Sequence, residues 1–182
     1  VIHDGGTSPL TNAFGAHGPQ TWVAYGIALE AVRFLAKLVG DEGIKRVAGK
    51  IARVLVDAPC SGLGTLRRNP DLKWRQSPEA LGELTAKQAA ILESSARLLK
   101  PGGRLVYATC SVLPAENEAI ADAFTAANSE FTPLDVGDVL THLKVADASK
   151  LCSGGENGLK YLRLWPHRHG TDGFFAAIWQ KK

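Results

Sequence analysis

The sequence predicts an α/β fold, and three observations carry that reading. A short β-branched run, Ile51 to Val56, passes directly into a proline-containing loop; a long amphipathic stripe opens at Pro78; a second apolar run, Arg104 to Ala108, follows a proline and two glycines. Strand, helix and strand in that order build a parallel unit, because parallel neighbours need a crossover between them. The chain has 182 residues, 45% hydrophobic and 21% charged, enough to bury one core of ordinary size. That balance excludes disordered, collagenous and coiled-coil classes.

Taken in order, residues 1–20 are rich in Gly, Pro, Thr, Ser and Asn and read as loop. From Thr21 to Val39, the residues Val23, Ile27, Ala31, Phe34, Leu35 and Leu38 recur at spacings of three and four and predict a helix that ends at Gly40. The strand Ile51–Val56 leads into a polar loop between Asp57 and Pro78. Ser77 is then an N-cap and Pro78 a first helical residue, ahead of a stripe of Leu81, Leu84, Gln88, Ile91, Leu92, Ser95, Leu98 and Leu99. Lys100-Pro101-Gly102-Gly103 reads as the turn before the second strand. A further helix over Glu116–Ala127 is expected to bury Ala119, Ile120, Ala123, Phe124 and Ala127. Cys152 to Gly158 reads as a surface loop, and the runs Leu159–Trp165 and Gly173–Trp179 as an antiparallel hairpin turning at His167-Arg168-His169.

Charge and cysteine usage limit the function classes. Twenty-one Lys and Arg against eighteen Asp and Glu leave a net charge of +3, which permits an anionic partner without requiring one. No apolar run reaches the ~20 residues of a membrane span, and the first residues lack a signal-peptide pattern, so a cytoplasmic setting and no membrane partner are expected. Three widely spaced cysteines do not form a disulfide framework or a CxxC pair, and no zinc or other metal is expected.

In an open α/β sheet, ligands bind beyond the carboxyl ends of the strands. Both predicted strands end near a cysteine, in Asp57-Ala58-Pro59-Cys60-Ser61-Gly62 and in Thr109-Cys110-Ser111. Neighbouring strands would bring Cys60 and Cys110 together. A thiolate is a strong nucleophile at neutral pH, and a second thiol beside it can manage a proton, so the pair suggests covalent catalysis; a reversible disulfide is the other reading. Cys152 has no such context and reads as a small apolar side chain. Arg67, Arg68, Lys73 and Arg75, with Trp74 among them, form a basic loop beside this place and suit phosphate contacts. Tyr107, Phe174 and Phe175 read as core aromatics.

These motifs resemble the Nop/Sun (RsmB-like) family of RNA cytosine-5 methyltransferases. The resemblance runs from Ile44 to the C-terminus. It is carried by Asp57-Ala58-Pro59-Cys60-Ser61-Gly62, Arg67-Arg68-Asn69-Pro70-Asp71-Leu72-Lys73-Trp74, Tyr107-Ala108-Thr109-Cys110-Ser111-Val112-Leu113-Pro114, Glu116-Asn117-Glu118 and Asp172-Gly173-Phe174-Phe175. It implies a Rossmann-like methyltransferase sheet, mostly parallel with a C-terminal antiparallel hairpin, and residues 41–182 as the C-terminal part of a catalytic domain, with 1–40 outside the resemblance. It implies S-adenosylmethionine as cofactor and an RNA substrate, rRNA or tRNA, as partner. The nucleophile that adds to cytosine carbon 6 is then Cys110, and Cys60 resolves the covalent intermediate. Asp57 stands at the strand end where donor and base meet, a candidate for cofactor binding whose carboxylate either falls beside the donor or accepts from the cytosine amino edge. Arg67, Arg68, Lys73 and Arg75 face the RNA.

The family's glycine-rich donor loop follows a strand, whereas Pro101-Gly102-Gly103 follows a helix. The N-terminal donor-binding strands are therefore expected to be missing from this sequence. Two further readings stand beside the first: a noncatalytic RNA-binding fragment of such an enzyme, and a DNA cytosine-5 methyltransferase in which Cys60 is the nucleophile.

Overall fold

A computed structural model describes residues 46–154 and 158–182. The predicted loop at 1–20 and helix at 21–39 lie outside the described residues. The strands are β1 (Ile51–Asp57), β2 (Leu99–Thr109), β3 (Phe131–Leu134), β4 (Cys152–Gly154), β5 (Lys160–Leu164) and β6 (Phe174–Lys181). The helices are α1 (Leu72–Arg75), α2 (Pro78–Ala96), α3 (Glu118–Ala127), α4 (Val136–His142) and α5 (Pro166–His169). All six strands form one sheet in the order β1-β2-β6-β5-β4, and β3 shares the outer edge of β6 with β5. The α/β class and the antiparallel pairing of β5 with β6 are those the sequence predicts. Parallel pairing among the described residues is confined to β1 and β2, and the other four pairings are antiparallel.

Helix α2 forms for the reasons read from its sequence. The Ser77 hydroxyl accepts from the Ala80 backbone N–H, and Pro78 takes the first turn. The buried face of α2 is Gln88, Leu92 and Ala96, and Ile91 lies outside it. The helix ends at Ala96, and Leu99 already belongs to β2. Strand β2 therefore starts five residues before Arg104, with Lys100–Gly103 looped out as a bulge between the pairs Ile51↔Leu99 and Arg53↔Arg104. Gly102 takes a left-handed φ of 73° there, which suits a glycine.

The core lies between the sheet and the pair α2 and α3. Leu92, Leu99, Leu105, Tyr107, Phe124, Phe131, Phe175 and Trp179 are buried in it. Phe124 meets Trp179 edge-on at 4.9 Å and Phe131 at 5.3 Å. The indole N–H of Trp179 donates to Thr125 Oγ1 at 2.8 Å, which fixes α3 over β6.

Two expectations are corrected. On α3 the buried residues are Ile120, Ala121 and Phe124, whereas Ala119, Ala123 and Ala127 are exposed. Alanine gains so little from burial that an alanine-rich helix turns on its one or two large side chains. The Cys152–Gly158 segment is not all loop, because Cys152–Gly154 pairs with β5 in the register Cys152↔Leu162. Residues 155–157 lie outside the described ones. The His167–His169 turn is the single helical turn α5, closed by Gly170 at φ 66°. No helix among the described residues is long and apolar enough to cross a membrane.

The loops beyond β1, β2 and β5 meet at two glycines. Gly64 N–H donates to the Cys110 carbonyl at 2.9 Å, and Gly173 N–H donates to the Gly64 carbonyl at 2.8 Å. A Cβ on Gly64 would stand 2.4 Å from the Gly173 oxygen and 2.6 Å from the Cys110 oxygen. Both obstacles are backbone and cannot rotate away. Gly64→Ala is expected to destabilise the fold by about 1–3 kcal/mol or more, read as a lower urea midpoint; an unchanged midpoint would show that the crossing is loose.

Candidate active site

Parallel pairing of β1 and β2 places Asp57 opposite Ala108, so the segments that leave the two strands emerge side by side. The pairing continues one step further, with Ala58 N–H on the Ala108 carbonyl at 2.9 Å. Cys60 and Cys110 then face each other with their sulfurs 3.5 Å apart. Both thiols are free, at hydrogen-bond distance.

The residue after each cysteine is a serine, and both serines are held by Glu116. This side chain is 0% exposed. Its Oε1 accepts from the Ser61 backbone N–H at 2.8 Å and from the Gln88 amide at 3.0 Å, while Oε2 accepts from the hydroxyls of Ser61, at 2.6 Å, and of Ser111. Four donors on two oxygens are what a buried carboxylate needs to repay its lost hydration. Gln88 also donates to the Pro59 carbonyl at 2.9 Å, and the Tyr107 hydroxyl donates to the Glu116 carbonyl at 2.6 Å. Asn117 completes the frame: its Oδ1 accepts from Thr109 Oγ1 at 2.5 Å and its amide donates to the Ser111 carbonyl at 3.0 Å.

The electrostatics follow from burial and from the shared thiol proton. The hydrogen bond from Cys60 pulls the Cys110 thiol below its ordinary range, against burial and the charges of Asp57 and Glu116. Holding that proton, and being buried, Cys60 is pushed well above the ordinary range. The two titrate as a pair. Asp57, half-buried at the end of β1, has its carboxyl pushed up to about 6 by burial.

The basic loop sits beside this centre and is itself anchored. Arg68 forms an ion pair with Asp172, and Arg67 donates to the Gly170 carbonyl at 3.3 Å, so both hold the loop to the approach of β6. Arg75 pairs with Asp71 at 2.7 Å within α1, and Lys73 lies over the Trp74 ring at 4.8 Å. All four basic residues are on the surface. Cys152 opens β4, where burial raises its thiol. His169 is a turn residue, its Nδ1 2.8 Å from the Trp165 backbone N–H. Among the described residues, no group of three His, Cys, Asp or Glu side chains is placed to hold a metal.

A family model described as 16S rRNA methyltransferase RsmB/F matches residues 33–180. The chain belongs to that family. It is similar to the probable ribosomal RNA small subunit methyltransferase B of Synechocystis sp., 40% identical over 157 residues, which cover 85% of this chain and 33% of that protein. The Bacillus subtilis protein of the same description is 38% identical over 130 residues, 71% of this chain and 27% of that protein. The crystal structure of PH0851 matches with a TM-score of 0.64 at 32% identity, over 84% of this chain and 34% of that one. NSun6 from Pyrococcus horikoshii with SFG matches with a TM-score of 0.56 at 21% identity, over 91% of this chain and 46% of that one, a likeness of fold. The chain spans about a third or less of the curated relatives it matches, 33% and 27% of the two named here.

Within this RsmB/F-family chain, sequence reasoning gave no role to Glu116, Gln88, Ser61, Ser111 or Asn117. The available signal was Gln88, an amide on a mostly apolar stripe that needs a polar partner inside the core. Arg163 was also missed. It is 4% exposed on β5, donates to the Val112 carbonyl at 3.1 Å, lies 3.5 Å from Glu118 and stacks over Trp165 at 4.6 Å. It fixes the loop that follows Cys110.

Two outcomes are expected. Glu116→Gln places an amide NH₂ among donors and is expected to cost about 1–3 kcal/mol of stability in urea unfolding; a wild-type midpoint would mean the cluster is dispensable. For Asp57, the folded-state value of about 6 lies above the ordinary 3.8, so the folded chain binds more protons between these two values. Stability contributed by the neutral carboxyl is lost as pH rises through that window. Asp57→Asn is expected to flatten unfolding midpoints between pH 4 and pH 6 and to gain on the wild type at pH 8. The same slope in both proteins would contradict the assignment.

Proposed function

We propose that this chain is the nucleophile-bearing part of an RNA cytosine-5 methyltransferase acting on rRNA, with residues 41–182 as the C-terminal part of its catalytic domain. The observation that carries the reading is the pair of thiols, 3.5 Å apart, at the ends of two adjacent parallel strands. Cytosine carbon 5 is a poor nucleophile until a thiolate adds at carbon 6 and makes the ring enamine-like. Cys110, held toward its thiolate by Cys60, is the group for that addition. After carbon 5 is methylated, its proton is lost to a base, the ring double bond re-forms and the carbon–sulfur bond breaks. Cys60 holds its S–H against the departing sulfur and so resolves the adduct. Arg67, Arg68, Lys73 and Arg75 give the RNA strand a basic surface beside the centre.

S-adenosylmethionine supplies the methyl group in this reading. The described residues fit that donor only in part. Asp57 stands at the strand end where it would lie, but β1 is the first strand described, and no strand with a glycine-rich donor loop precedes it among the described residues. No step is therefore assigned to donor-binding groups beyond Asp57.

The test is covalent trapping on RNA containing 5-fluorocytosine, with S-adenosylmethionine present, read on a denaturing gel. Cys60→Ala is expected to retain the adduct and Cys110→Ala to lose it. An adduct that survives Cys110→Ala and is lost in Cys60→Ala would reverse the roles, as in the DNA enzymes.

A further inference from the structure

We propose that Trp74 is a stacking platform for an unpaired RNA base, held at a fixed place next to the cysteine pair; this deepens the RNA reading above and rests on it. Trp74 is 80% exposed, the most exposed of the large apolar side chains among the described residues. Leaving an indole in water forgoes the largest hydrophobic gain a side chain offers, and such residues mark binding surfaces when their setting is ordered.

The setting here is ordered. Trp74 sits on α1, and both flanks of that turn are tied to the segment that carries Cys60. On one side Leu72 packs against Gly62, its Cδ1 only 3.3 Å from where a glycine Cβ would lie. On the other side the Gln76 amide donates to the Ser61 carbonyl at 3.0 Å. Inside the turn, Trp74 N–H donates to the Asp71 carbonyl at 3.0 Å and Arg75 pairs with Asp71 at 2.7 Å. The backbone under Trp74 is thus fixed to Ser61 and Gly62, the two residues after Cys60, while its ring is 80% exposed with the Lys73 ammonium 4.8 Å from its centroid.

Charge selects the occupant. The turn carries Lys73 and Arg75, and Arg67 and Arg68 precede it, so an apolar ring is surrounded in sequence by cations rather than by other exposed apolar groups. Ile91, Leu143 and Val145, the other exposed large apolar residues among those described, are on α2 and after α4. A ring among cations suits a single strand, whose bases stack and whose phosphates pair with Lys and Arg. A protein partner would need a wider apolar patch. Stacking tolerates any base, so the platform would place the strand rather than choose its sequence.

The experiment is fluorescence anisotropy of the full 182-residue chain with a labelled unpaired RNA oligonucleotide over a range of salt. Trp74→Ala is expected to weaken binding about 5- to 150-fold, with the slope of log affinity against log salt unchanged. Trp74→Phe should recover most of the loss, and with an oligonucleotide of abasic units wild type and Trp74→Ala should bind alike. Lys73→Gln should instead reduce the salt slope. If wild type binds RNA and Trp74→Ala binds equally well, the platform is overturned and the RNA reading stands. If wild type does not bind RNA even at low salt, the RNA reading itself fails.

Discussion

A buried carboxylate organises this molecule. Glu116 has no contact with water and must receive hydrogen bonds from whatever surrounds it. Its donors come from three places far apart in sequence: Ser61 after β1, Gln88 on α2 and Ser111 after β2. Satisfying one side chain therefore fixes two loops and a helix relative to one another. The two serine hydroxyls lie 3.3 Å apart, and the two cysteine sulfurs one residue earlier lie 3.5 Å apart. The thiol pair is a geometric consequence of the serine clasp. Neither loop alone could place its sulfur so closely, because loops without such anchors are the mobile parts of a fold.

The same economy extends outward. Gly64 and Gly173 let three backbones cross at van der Waals distance, which seats the entry to β6 against the loops that bear the cysteines. Arg68 with Asp172, and Arg67 with the Gly170 carbonyl, fasten the basic loop to that entry. Half of the basic residues read from the sequence as RNA-facing thus also hold the surface in place. An exposed ion pair contributes little to stability, typically about 0–1 kcal/mol, so its value here is in registering the loop over the site.

What was legible in the sequence was what local rules determine. The β-branched run at Ile51, the Ser77-Pro78 cap and the short apolar run before Trp179 specify their elements without reference to the rest of the chain. The cysteines were legible because strand ends are where such sheets place ligands. The buried face of α3 was not, since its alanines carry almost no orienting force and its large side chains settle it, Ile120 within the core and Phe124 against Phe131 and Trp179. Strand β4 was hidden by its glycine and serine, residues that extend only because β5 offers a partner. Glu116 was hidden by its charge: acidic residues are nearly always exposed, and its burial depends on donors that only the folded chain brings together.

The chemistry of the pair follows from this frame rather than from either cysteine. Burial and the charges of Asp57 and Glu116 all oppose a thiolate at Cys110, and against them stand the hydrogen bond from Cys60 and the Cys110 backbone N–H. Removing Cys60 would leave Cys110 among acids without its hydrogen-bond donor, a weaker thiolate but still present, while removing Cys110 would take away the acceptor of the Cys60 S–H. The effects of the two substitutions cannot add, because each changes the protonation state that the other acts on. The frame around Glu116 thus makes one unit of two residues, in which the hydrogen bond, and not either thiol by itself, determines where the shared proton rests.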